Sequence, residues 1–83
     1  MKIIKTCKYK LVNEKWKVVL EADYIDSDGT YIIGEKHGVV NLKTGKILQE
    51  PFADYIDSDG RYEINRKYGI IDLKTGKITK EAE

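Results

Sequence analysis

Residues Ala22-Asp23-Tyr24-Ile25-Asp26-Ser27-Asp28-Gly29 recur unchanged 31 positions later as Ala53-Asp54-Tyr55-Ile56-Asp57-Ser58-Asp59-Gly60. Leu42-Lys43-Thr44-Gly45-Lys46-Ile47 returns at the same offset as Leu73-Lys74-Thr75-Gly76-Lys77-Ile78. Across residues 22–51 and 53–82, 19 of 30 positions are identical, which marks a duplication. A degenerate third copy opens the chain. Lys8-Tyr9-Lys10-Leu11-Val12-Asn13 aligns with Lys36-His37-Gly38-Val39-Val40-Asn41 and with Lys67-Tyr68-Gly69-Ile70-Ile71-Asp72. The expected layout is one domain, 1–83, of three units: a degenerate one over about 1–21, then 22–52 and 53–83. Tandem units of this length bury apolar faces against their neighbours, and three is about the minimum for a stable stack.

The apolar period is two, not 3.6. In Arg61-Tyr62-Glu63-Ile64-Asn65, Tyr62 and Ile64 share one face and the polar residues share the other, the pattern of a half-buried strand. Tyr31 and Ile33 keep that phase, which places Ile32, the counterpart of Glu63, on the outer face. The fold class expected is all-β: tandem antiparallel hairpin or meander units forming small stacked sheets. The expected strands are 2–5, 8–12 and 16–21, then 30–33, 36–42 and 45–49, then 61–64, 67–73 and 76–80. Gly34 and Asn65 occupy equivalent turn positions, and both tolerate the positive φ of a tight hairpin turn. The Thr-Gly loops at 44–45 and 75–76 place Gly at a left-handed bulge position. Pro51 is expected between units, where it removes no ladder donor. The expected core is Leu11, Val18, Leu20, Tyr31, Ile33, Val40, Leu42, Ile47, Tyr62, Ile64, Ile71, Leu73 and Ile78, with Trp16 as a lid over the first hairpin.

Lys-aromatic-Gly, two apolar residues, Asp or Asn, and a Thr-Gly-Lys-Ile turn together resemble the WG repeat, also called KWG, of bacterial β-rich proteins. The residues are Lys67 to Asp72 with Thr75 to Ile78, and Lys36 to Asn41 with Thr44 to Ile47. The Trp that names that repeat is His37, Tyr68 and Tyr9 here. The resemblance covers roughly 22–83 and implies an all-β repeat of bacterial or phage origin. It carries over no catalytic residues.

Charged residues are 35% of the chain, yet the net charge is only +1, so nothing here pulls strongly toward nucleic acid or anionic lipid. The lone Cys7 argues against a disulfide scaffold. Lysines at 5, 8 and 10 break the apolar run that a signal peptide needs. No stretch approaches the roughly 18 apolar residues of a membrane span. The expectation is therefore a cytoplasmic protein with no membrane role and no cofactor.

The Asp-Ser-Asp-Gly segments echo a calcium loop, with Asp26, Asp28, Asp57 and Asp59 as candidate ligands. Tyr24 and Tyr55 stand where the first ligand belongs, and Arg66 stands where the closing carboxylate belongs, so a polar turn is the better reading. His37 has ring-bearing counterparts and no nucleophile partner in the pattern. No phosphate loop, nucleophile elbow or zinc pair is present, and an enzyme is not expected. The candidate binding surface is Tyr24, Asp26, Asp28, Tyr55, Asp57 and Asp59: two spaced aromatics, each beside two carboxylates. The function expected is a non-catalytic module binding another protein or a copy of itself, with edge-strand pairing as one route; a small inhibitor or immunity-type protein has this size. A small-molecule binder with its site between units, and a structural or self-assembling component, remain open alternatives.

Overall fold

A computed structural model describes all 83 residues. It holds eleven strands in three antiparallel sheets and no helix. The first sheet contains β1 (Lys2–Lys5), β2 (Tyr9–Val12) and β3 (Val18–Ala22). The second contains β4 (Tyr24–Ile25), β5 (Thr30–Ile33), β6 (Lys36–Val40) and β7 (Ile47–Ala53). The third contains β8 (Tyr55–Ile56), β9 (Arg61–Ile64), β10 (Lys67–Ile71) and β11 (Ile78–Lys80). Each is a meander with its strands in sequence order. The molecule measures 41 × 23 × 16 Å.

The same contacts build the second and third sheets. Tyr31 stands directly across from Gly38, and Tyr62 across from Gly69. A Cβ on Gly38 would lie 2.6 Å from the Tyr31 ring and 2.7 Å from the Gln49 carbonyl. Glycine is therefore what lets the ring lie flat across the neighbouring strand. Each hydroxyl then donates to a backbone carbonyl 18 residues on, Tyr31 to Gln49 at 3.1 Å and Tyr62 to Lys80 at 3.2 Å. In the first sheet Ile4 faces Lys10 at the corresponding pair. With no ring to accommodate, no glycine is needed.

Turns close each hairpin by local hydrogen bonds. The Asp23 carboxylate accepts from the Gly34 amide at 2.7 Å, and Asp54 accepts from Asn65 at 3.0 Å. Gly34 (φ 64°) and Asn65 (φ 50°) are left-handed, as expected, and Arg66 joins them at φ 67°. Asn41 and Asp72 leave their strands early because their side chains cap the next turn, bonding the amides of Lys43 and Lys74 at 2.8 Å. The second strands thus end at Val40 and Ile71, not at 42 and 73. Gly45 and Gly76 are left-handed too, which delays the third strands to Ile47 and Ile78. The register slip itself comes later: the pairing jumps at Leu11/Val12, Val39/Val40 and Ile70/Ile71, equivalent positions in all three sheets.

Two cores form. Leu11 of the first sheet packs with Ala22, Ile25, Tyr31 and Val40. Val39 of the second packs with Ala53, Ile56, Tyr62 and Ile71. These sets correspond position by position, so each core joins one sheet to the next.

Several expectations fail, each for a local reason. The middle sheet has neighbours on both faces, so Val39 and Val40 are both buried although adjacent. Val12, Ala22, Ile25, Ala53 and Ile56 are likewise core residues outside the expected set. Val18, Ile33 and Ile47 lie at strand ends beyond the reach of the neighbouring sheet and are exposed. Trp16 is no lid: it sits at the loop position of Gly45, with φ 61° and 65% of its surface exposed. Pro51 lies within β7 rather than between units, on an edge strand and between the paired residues Gln49 and Ala53, where no ladder bond is lost. The two-residue strands β4 and β8 were not expected.

Candidate binding groove

Strand alternation places the two tyrosines of the expected surface. Ile25 and Ile56 turn into the cores, so Tyr24 and Tyr55 must point outward. Each ring packs edge-on against a ring of the preceding sheet: Tyr24 on Tyr9 at 4.9 Å and Tyr55 on His37 at 5.5 Å. Tyr24 is still 40% exposed and Tyr55 54%. This pairing accounts for the rings of Tyr9 and His37, each the platform for the tyrosine of the next sheet; Tyr68, in the third sheet, has no such partner and is exposed.

Tyr24 and Tyr55 open onto one groove of about 290 Å³ between the second and third sheets. Asp26, Asp28, Thr30, Ile32 and His37 wall it on one side, and Ile56, Asp57 and Ser58 on the other. Five of the six expected residues therefore meet in one place. Asp59 does not line it. Thr30, Ile32 and His37 were not foreseen as walls; the alignment of His37 with Tyr9 was the available signal.

The carboxylates hold their own loops. Asp28 accepts from the Thr30 amide at 2.9 Å and from its hydroxyl at 2.7 Å. Asp57 accepts from the amides of Asp59 and Arg61 at 2.9 and 3.0 Å. These bonds fix the acids in position while their charge stays at the groove. The charge is felt locally: Asp26, foremost, raises the pKa of Tyr24, with burial, Tyr9 and Asp28 adding to it. Burial lowers the pKa of His37, which favours its neutral form. The groove thus presents three acids and aromatic faces without a compensating cation along its wall. It is suited to a positively charged group held by carboxylates and rings. Nowhere do three His, Cys, Asp or Glu side chains gather in a way that could hold a metal ion. Cys7 is free and exposed. No helix is long and apolar enough to cross a membrane.

No family model, no curated protein and no solved structure matches this chain.

Proposed function

We propose that this protein is a non-catalytic interaction module of the WG-repeat type, acting in the cytoplasm of a bacterial or phage-infected cell, and that it grips a basic side chain of a partner protein in the groove between its second and third sheets. The observation that carries this reading is the convergence of Tyr24, Tyr55, Asp26, Asp28 and Asp57 on one hollow. Its volume, about 290 Å³, falls just below the range typical of drug-sized ligand sites and suits a single long side chain. Exposed tyrosines beside fixed acids are good anchors for an arginine or lysine. An inhibitor or immunity-type role is one way such a module would be used.

The test is affinity capture from the host, read by mass spectrometry, with the native protein against a Tyr24→Ala/Tyr55→Ala variant. One specific partner, lost in the variant while its circular dichroism is unchanged, is the expected result. Equal recovery by both proteins would refute it. A second reading, a small cationic metabolite in the same groove, is favoured by the concave Tyr- and Asp-lined wall between sheets. A midpoint rise of several degrees with one compound in a thermal-shift screen, and no protein captured, would select it.

A further inference from the structure

Each ring that carries the next sheet's tyrosine has one residue directly across from it on the neighbouring strand. Tyr9 stands across from Lys5, and His37 across from Ile32. Residues directly opposite in an antiparallel pair project from the same face. In the first sheet this puts the Lys5 ammonium over the Tyr9 ring, 5.7 Å from its centre and within reach of a cation–π contact. That ring is the one Tyr24 meets edge-on at 4.9 Å. The second sheet repeats the ring pair, Tyr55 on His37 at 5.5 Å, but without the ammonium: Ile32 stands where Lys5 stands. Ile32 also pairs with Tyr24, so Tyr24, Ile32 and His37 form one row across β4, β5 and β6. All three line the groove, and no lysine or arginine does.

The acids of the groove each have one oxygen engaged and one free. Asp28 accepts both Thr30 bonds on Oδ1, and Asp57 accepts the Asp59 and Arg61 amides on Oδ1. The Ser27 hydroxyl donates to Oδ1 of Asp26 at 3.3 Å. Oδ2 of all three accepts nothing from the protein. A guanidinium binds best in a parallel fork, using both oxygens of one carboxylate. Here the second oxygen of each acid is already committed to its own loop. An ammonium is a compact charge with three donors, and it can take a single oxygen from each of several acids.

We propose that the groove between the second and third sheets is selective for lysine over arginine. This rests on the reading of the groove as the seat of a partner's basic side chain, and it names which one. The partner's lysine lays its methylene stem on Ile32, an apolar floor between Tyr24 and His37. Its ammonium lies against the rings and takes the free oxygens of Asp26, Asp28 and Asp57. The partner thereby supplies to the second sheet the ammonium that Lys5 supplies to the first.

The probes are the blocked peptide acetyl-Gly-Lys-Gly-amide, its arginine counterpart, and its norleucine counterpart, which keeps the stem without the charge. Each is titrated at fixed ionic strength while the Ile32 methyl and the Tyr24 and Tyr55 ring resonances are followed by nuclear magnetic resonance. The lysine peptide should give saturable shifts, the arginine peptide should bind roughly three- to tenfold more weakly, the size of one lost hydrogen bond, and the norleucine peptide should give none. Asp26→Asn/Asp57→Asn leaves each loop its Oδ1 acceptor and replaces the free oxygen by an amide. It should lose the lysine shifts while its circular dichroism is unchanged. Ile32→Lys carries an ammonium into the groove itself, as Lys5 does over Tyr9, and should lose them too; the asparagine variant keeps the test decisive if Ile32→Lys does not fold. Arginine binding as tight as lysine would overturn the selectivity and leave the groove reading standing. Equal shifts with norleucine, or undiminished lysine binding in the asparagine variant, would also overturn it. No shift with either cationic peptide up to about 30 mM would overturn both the selectivity and the groove reading.

Discussion

Trp16 and Arg66 are the clearest cases of residues in positions that suit another. Both have φ above 60° without being glycine. Trp16 stands where the other copies have Gly45 and Gly76, and Arg66 adjoins Asn65 in a turn with two positive φ values. A left-handed L-residue costs on the order of 1–2 kcal/mol, and glycine returns part of that as unfolded-state entropy. Trp16→Gly and Arg66→Gly should each stabilise by about 0.5–1 kcal/mol, raising the thermal midpoint by a few degrees. Gly38 is the opposite case. Gly38→Ala should destabilise by roughly 1–3 kcal/mol, because its Cβ meets the Tyr31 ring. The penalty should shrink in a Tyr31→Ala background, and a double-mutant cycle by urea unfolding checks both. The positive φ of Gly34 and Asn65 was legible in the sequence, since those two residue types alternate at one site. The left-handed Trp16 was not: Lys17-Val18 aligns with Lys46-Ile47, which puts Trp16 at the place of Gly45, but an indole side chain carries no preference for positive φ.

At the scale of elements, each hairpin is tied to its predecessor by one aspartate. Asp54 accepts from the Asn65 amide and pairs with the Lys36 ammonium, which belongs to the preceding hairpin. Asp23 repeats this, with the Gly34 amide and with Lys8 at 3.9 Å. The hydrogen bond from Lys36, then that from Asn65, lowers the pKa of Asp54. A carboxyl with a depressed folded-state pKa contributes stability above its unfolded value, here 3.8, and loses it as pH falls through the lower folded value. Asp54→Asn should therefore lower stability near neutrality and flatten its decline below about pH 4, as read from chemical denaturation across pH. The hairpin strands β5 and β9 could be read directly, because alternation over four residues is a sufficient signal, whereas β1, Lys-Ile-Ile-Lys, has no alternation of its own. β4 and β8 could not: two residues carry no period, and only their register against β5 and β9 defines them.

For the whole molecule, stacking decides which side chains face solvent. Leu11 and Val39 are fully buried by the following sheet, whereas their counterpart Ile70 is 46% exposed on the outer face of the third. Around Ile70 that face has changed chemistry. Thr30, Ile32 and Leu48 of the second sheet become Arg61, Glu63 and Thr79. A polar outer face is what keeps the end of a stack in solution. Restoring Thr, Ile and Leu at positions 61, 63 and 79 should expose a continuous apolar face and drive self-association, visible by light scattering. The duplication made the stacked class readable, but not the burial of both faces of the middle sheet. Half-buried alternation describes a lone two-layer sheet, and Val39-Val40 obeys a different rule.

The groove exists only if consecutive sheets meet through the rings described above. Two-dimensional nuclear Overhauser spectra of the native protein test this contact directly. Cross-peaks between the rings of Tyr24 and Tyr9, and between those of Tyr55 and His37, together with Leu11 methyl contacts to Ile25, are the expected result. Well-formed hairpins with none of these cross-peaks would mean that the sheets do not pack on one another, and would contradict both the stack and the groove it creates.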